Sequence, residues 1–123
     1  MKAILLVFLG GGFGSLLRYT LSVQLNYNNY NFPLGTFLVN IIGSLIIGFV
    51  LGLALKQGSI SQNLLLLVAT GFCGGFTTFS TFAFENFAFL KEGDYISFAI
   101  YTSLSFIVAI VAVASGVFLS KLF

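Results

Sequence analysis

Four long apolar stretches, at residues 3–25, 33–55, 64–90 and 95–119, make up nearly the whole chain, and only short polar interruptions separate them. A helix needs about 20 predominantly apolar residues to cross a bilayer, so each stretch predicts one transmembrane helix. The first interruption, residues 26–31, mixes asparagine with tyrosine, which suits the bilayer interface where tyrosine is enriched. Pro33, the only proline, stands where the second helix starts, a position that needs no backbone donor. Residues 56–63 form a polar turn, and residues 91–94 close the third stretch. That third stretch is unusual. Its centre, Gly71 to Phe82, combines glycines 71, 74 and 75 with the hydroxyls of Thr77, Thr78, Ser80 and Thr81 and a repeated phenylalanine. Irregular backbone at membrane depth is tolerated only where protein or a water-filled cavity surrounds it. This stretch therefore predicts a broken helix that marks an ion or substrate site, with the break over Gly74 to Thr77 and Gly74 and Gly75 as its expected start.

Composition turns four helices into a membrane protein and leaves room for little else. Of 123 residues, 59% are hydrophobic and 7% charged, against roughly 25% charged in a soluble domain, and the mean hydropathy is +1.10. The expected architecture is one all-α transmembrane domain over residues 1–123, with no soluble domain. Lys2 and the apolar run to Leu9 resemble a signal peptide, but no small-x-small cleavage site follows and the apolar pattern continues, so this reads as a retained span. One cysteine excludes a disulfide within the chain, and the absence of histidine argues against a zinc or haem site. Scattered charges give no basic patch for nucleic acid. With four spans, Lys2, Lys56 and Lys121 fall on one side and Arg18 and Lys91 near the other, three against two. Orientation follows the Lys/Arg bias of short loops. So weak a bias fits either a fixed topology or insertion in both orientations, which permits an antiparallel dimer.

Catalytic chemistry is missing from this pattern: there is no Ser-His-Asp set, no cysteine–histidine pair, and Glu92 and Asp94 lie in a loop. Gly10-Gly11-Gly12-Phe13-Gly14 lies inside a span with no strand before it, which favours helix packing over a nucleotide loop. In the second span Thr36, Asn40, Ser44, Gly48 and Gly52 recur four residues apart on one helix face. Its lower part admits a closely packed helix; its upper part offers a hydroxyl and a carboxamide, and Asn40 serves either as interhelical glue or as an anion donor. Arg18 either snorkels to the interface or sets positive charge at the mouth of a pathway. Tyr101 and Ser105 share a face of the fourth span, where Ala109 ends the line, although such hydroxyls often bond back to their own helix. Phe79 and Phe82, with Phe76 a turn earlier, form a stripe that suits lipid or core packing. Packing is the default for such a stripe, but it also allows the presentation of positive ring edges to a small anion. Glu85 is the one acid placed within a span, a functional candidate by position that an interfacial role also explains. A break at Gly74 and Gly75 would free carbonyls on one side, which suit a hard cation, and amides on the other, which suit an anion.

Three motifs carry a resemblance that covers essentially the whole chain. Gly-Gly-x-Gly-Ser-x-x-Arg-Tyr at Gly11 to Tyr19, Pro-x-Gly-Thr-x-x-x-Asn at Pro33 to Asn40, and Gly-Phe-Cys-Gly-Gly-x-Thr-Thr-Phe-Ser-Thr-Phe at Gly71 to Phe82 resemble the Fluc (CrcB) fluoride channels. The resemblance implies an antiparallel, dual-topology homodimer of four-helix subunits with a broken third helix, in the bacterial cytoplasmic membrane. It implies passive, selective export of fluoride that enters the cell as neutral hydrogen fluoride, through two pores lined by both subunits. Phe79 and Phe82 look like the pore phenylalanines and Asn40 like the donor that supports them; Tyr101 and Ser105 resemble the start of the polar track. Thr36 and Arg18 join the expected fluoride pathway, with no firm role for Arg18 or Glu85. The break is similar to a central structural sodium site, in which carbonyls of Gly74 and Thr77 from both subunits would hold one ion. The alternative is a small proton-coupled cation or multidrug exporter, also a four-span dual-topology dimer, which would need a carboxylate deep in the membrane. A further alternative is a non-transporting subunit of a membrane assembly.

Overall fold

A computed structural model describes residues 1–26, 32–56 and 58–123. The asparagine–tyrosine loop expected over residues 26–31 lies, from residue 27 onward, outside them. Among the described residues the fold is all-helical, and four helices are long and apolar enough to cross a membrane: Lys2–Asn26, Leu34–Ala54, Gln62–Glu92 and Tyr95–Ser120. The first two are α1 and α2. The third span is built in pieces: a short turn α3 (Gln62–Leu64), a π-helical run Leu65–Cys73, a short α4 (Gly74–Phe76), then α5 (Phe79–Glu92). The last span is α6 (Tyr95–Ser120).

Most large apolar side chains, among them Phe8, Phe84, Phe106 and Ile110, are exposed on the isolated chain. In lipid that is the expected state, because hydrocarbon is as apolar as the side chains and association must come from close packing and hydrogen bonds. The glycines supply the close packing. Gly10 faces Leu67 and Gly71, and Gly14 faces Phe72 and Phe76, so α1 runs parallel to the first half of the third span. Gly48 faces Val113, and Gly52 faces Val117 and Ser120, so α2 runs parallel to α6. At Gly75 an added methyl group would collide with the Gly11 carbonyl oxygen. The glycine runs in α1 and in the lower half of α2 are thus contact faces, as their spacing suggests.

The helix ends follow local chemistry. Asn26 Oδ1 accepts from the Gly35 N–H at 3.1 Å and ties the end of α1 to the start of α2. Gly93, at φ 76°, ends α5 in the left-handed conformation that glycine adopts without penalty. Asp94 Oδ1 then caps α6 by accepting from the Ser97 N–H at 3.0 Å. Hydrogen bonds from the Ser97 side chain and backbone hold this exposed carboxyl below its ordinary range. Lys56 Nζ donates to the Ser120 and Lys121 carbonyls at 3.0 and 3.3 Å, a cation on the carbonyl end of α6. This places Lys56 and Lys121 at the same end of the bundle.

The break in the third span exists, but the glycines do not make it. Gly74 keeps right-handed helical angles (φ −62°, ψ −37°). The chain becomes extended at Thr77 (φ −80°, ψ 157°) and Thr78 (φ −146°, ψ 122°). Two β-branched residues accept extended backbone more readily than helical backbone, and Thr78 gains two sets of partners there. Its Oγ1 caps α5 by accepting from the Thr81 N–H at 3.3 Å. Its N–H and C=O both bond to Asn40, at 2.7 and 3.0 Å. Gly71 and Gly75 instead let α1 come close, so the break expected to start at Gly74 and Gly75 lies at Thr77–Thr78.

Candidate functional site

The break opens onto a groove of about 360 Å³ bordered by α2, the third span and α6. Of the residues singled out from the sequence, Asn40, Gly74, Thr77, Phe79, Phe82 and Ser105 line it. Cys73, Thr78 and Ser44 line it too, and Ala109 forms part of its wall. No charged side chain is among its lining residues.

Asn40 stands at the centre. Its Oδ1 accepts from the Thr78 N–H and its Nδ2 donates to the Thr78 C=O. The two bonds together fix the orientation of the carboxamide, since the reverse would set donor against donor. One N–H of Nδ2 remains available. Both readings of Asn40 are therefore represented in one side chain: glue to an extended residue, with one donor to spare.

Phe82 is buried, 8% exposed, while Phe79 is 73% exposed on the isolated chain. Their ring centroids are 5.9 Å apart and tilted by 42°. Phe82 also contacts the Tyr101 ring at 5.1 Å and meets Phe106 edge-on at 6.0 Å. Phe76 does not continue this stripe. It lies before the break, fully buried and stacked on Phe72 at 5.2 Å, because the two extended residues rotate α5 away from it.

Ser105 Oγ is buried with no hydrogen-bond partner among the described residues. Tyr101, its neighbour on α6, is turned elsewhere: it is fully buried, and its hydroxyl donates to Glu85 Oε2 at 2.7 Å. Thr36 Oγ1 donates to Glu85 Oε1 at 2.6 Å. Thr36, Tyr101 and Glu85 thus form one cluster joining α2, α5 and α6, beside the groove rather than in its lining. Arg18 stands apart on α1, half-buried, and its Nε has no partner among the described residues.

Sequence reasoning passed over a second polar pair. Asn86 is buried; its Nδ2 donates to the Phe82 C=O at 3.0 Å and its Oδ1 accepts from Thr102 Oγ1 at 2.8 Å. The signal was present, since a carboxamide inside a membrane span needs a partner. Thr78, the residue on which the break turns, was hidden among neighbouring hydroxyls.

The donor set at the break suits a hard cation. In an unbroken helix the Thr78 N–H would bond to the Gly74 carbonyl; here it goes to Asn40, which releases that oxygen. Gly74 is exposed, and a methyl group there would meet nothing within 4 Å. Thr77 N–H and Oγ1 both bond to the Cys73 carbonyl, at 3.0 and 2.8 Å, and so turn away from any ion at Gly74. Hard cations gather about six oxygens, more than the Gly74 and Thr77 carbonyls of a single chain supply.

A four-span bundle with a broken helix and a groove of hydroxyl, amide and aromatic side chains at the break defines a small integral membrane transport protein. The comparison with known proteins agrees. The family model described as "CrcB-like protein, Camphor Resistance (CrcB)" matches residues 5–117. The chain belongs to this family. It is 48% identical over 122 residues to a protein named fluoride-specific ion channel FluC from Gloeothece citriformis, covering 98% of each chain. A protein of the same name from Phocaeicola vulgatus is 44% identical over 98% of this chain and all of its own. Another, from Ignicoccus hospitalis, is 43% identical over 94% of this chain and 93% of its own.

Proposed function

We infer that this chain is a fluoride channel, not an enzyme, which lets fluoride leave the cell passively across the cytoplasmic membrane of a bacterium. The observation that carries the reading is the groove: hydrogen-bond donors and phenylalanine rings line it and no charged side chain does, in a chain whose full-length relatives bear that name. Fluoride is small and strongly hydrated, so a pathway must replace water with donors at each step. Asn40 with its spare N–H, the Ser105 hydroxyl and the edges of Phe79 and Phe82 are those groups. Arg18 would raise the local anion concentration from the C-terminal half of α1. Thr36 and Tyr101 act indirectly, by holding the Glu85 carboxylate away from the groove.

The functional unit in this reading is an antiparallel homodimer with two pores. Its support is the exposed Phe79 ring, the open groove and the weak charge bias, since each would be completed by a second copy inserted the other way. A structural sodium ion at the dimer centre would be held by the Gly74 and Thr77 carbonyls of both chains; bound there, it would tie the two copies together and place positive charge near the anion path.

A proton-coupled exporter needs a carboxylate standing in the substrate path. Glu85, the acid within a span, is bonded to Thr36 and Tyr101 and does not line the groove, which favours the channel. Purified protein in liposomes with no proton gradient should release fluoride and retain chloride. Strict dependence of efflux on a pH gradient would sink the channel reading in favour of the exporter.

A further inference from the structure

We propose that Ser44 supplies an anion-binding hydroxyl to the pathway from α2, at the depth where α6 presents only the methyl group of Ala109. The proposal rests on the fluoride-channel reading and adds a residue to that site. On α6, Ser105 lines the groove, and one turn further along the same helix stands Ala109, which lines it too but carries no hydroxyl. Next to the main groove lies a shallow, open depression, also about 360 Å³, lined by Ser44, Ala109, Ile110, Val113 and Ala114. The two share two lining residues, Ser44 and Ala109. Ser44 is thus the single hydroxyl at their junction and the single polar residue of the depression.

The hydroxyl is free to act. Thr20, Thr77 and Ser120 donate theirs to carbonyls of their own helices. Ser44 makes no such bond among the described residues, and in this it matches Ser105, whose Oγ also lacks a partner. Ser44 lies one turn beyond Asn40 on the face of α2 that carries Thr36 and Asn40, so an ion leaving the spare Asn40 N–H meets it next. Past it, Ile110, Val113 and Ala114 offer no donor. An anion stripped of water at an apolar junction faces a steep barrier, and one hydroxyl lowers it.

Fluoride efflux from liposomes is compared for the unmodified protein, Ser44→Ala, Ser44→Thr, Ala109→Ser and the double variant Ser44→Ala/Ala109→Ser, with assembly followed by size-exclusion chromatography. A hydrogen bond to a charged group is worth a factor of about ten or more, so Ser44→Ala should slow efflux by at least that factor while assembling normally. Ser44→Thr, which keeps the hydroxyl, should be impaired less. The double variant should recover efflux, because the second hydroxyl enters the same junction from α6. Unmodified rates for Ser44→Ala would overturn the proposal. So would a loss that Ser44→Thr shares and Ala109→Ser fails to repair, which marks a packing position. If the unmodified protein itself carries no fluoride, the channel reading falls and this proposal with it.

Discussion

Asn40 holds both backbone groups of Thr78 with one carboxamide, and much of the site depends on that pair. Replacing it by leucine would leave a buried donor and a buried acceptor unpaired, each at a cost of about 1–3 kcal/mol. Asn40→Leu should therefore lower the thermal unfolding temperature in detergent and abolish fluoride efflux together; a stable variant with normal efflux would contradict this geometry. The phenylalanines separate differently. Phe79→Ile and Phe82→Ile should each reduce efflux with the protein still assembled. Phe82 is buried and Phe79 exposed, so only the Phe82 change should also weaken the single subunit. Equal efflux from both variants and the unmodified protein would return the rings to a packing role. From the sequence, Asn40 was visible as a polar group that must bond to something. Its partner was not, because Thr78 lies 38 residues away and bonds through backbone, which carries no side-chain signature.

At the scale of the helices, the four long apolar helices of the structure lie within a few residues of the apolar stretches of the sequence, since hydropathy and length are local properties. The break was foreseen in the right span, over Gly74 to Thr77, but it begins only at the last of these residues and not at the glycines. Glycine in a membrane helix serves either a break or a close contact, and the choice depends on what lies opposite. Gly75 lies against the Gly11 backbone and Gly74 against nothing. Gly75→Ala should overpack α1 against the third span, at a cost of about 1–3 kcal/mol, and reduce the yield of folded protein. Gly74→Ala clashes with nothing in its own chain. Because alanine keeps the backbone carbonyl, the variant tests only whether a second chain packs closely there: a subunit that folds normally but assembles poorly would be the expected outcome, measured by cross-linking in membranes, and normal assembly would argue against a close contact at Gly74.

For the whole molecule, the exposed Phe79 and Gly74, the open groove and the near-even distribution of Lys and Arg are the features that support the proposed second copy. If two opposed chains share a sodium ion, exchange of sodium for a large organic cation should shift purified protein from dimer toward monomer on size exclusion; an unchanged elution profile would count against the ion. The sequence by itself determined that this is a four-span membrane protein with glycine-faced helices, and its motifs identified the family. Apolar runs and small-residue spacing belong to a single helix, so they can be read along the chain. Tertiary structure alone decided that the helix breaks at Thr77–Thr78, that Asn40 is bound to the break, that Glu85 is withdrawn by Thr36 and Tyr101, and that Ser44 faces the same groove as Ser105. Each of these depends on groups brought together from different helices, where an unpaired polar atom is costly and the partner is whichever group the packing delivers.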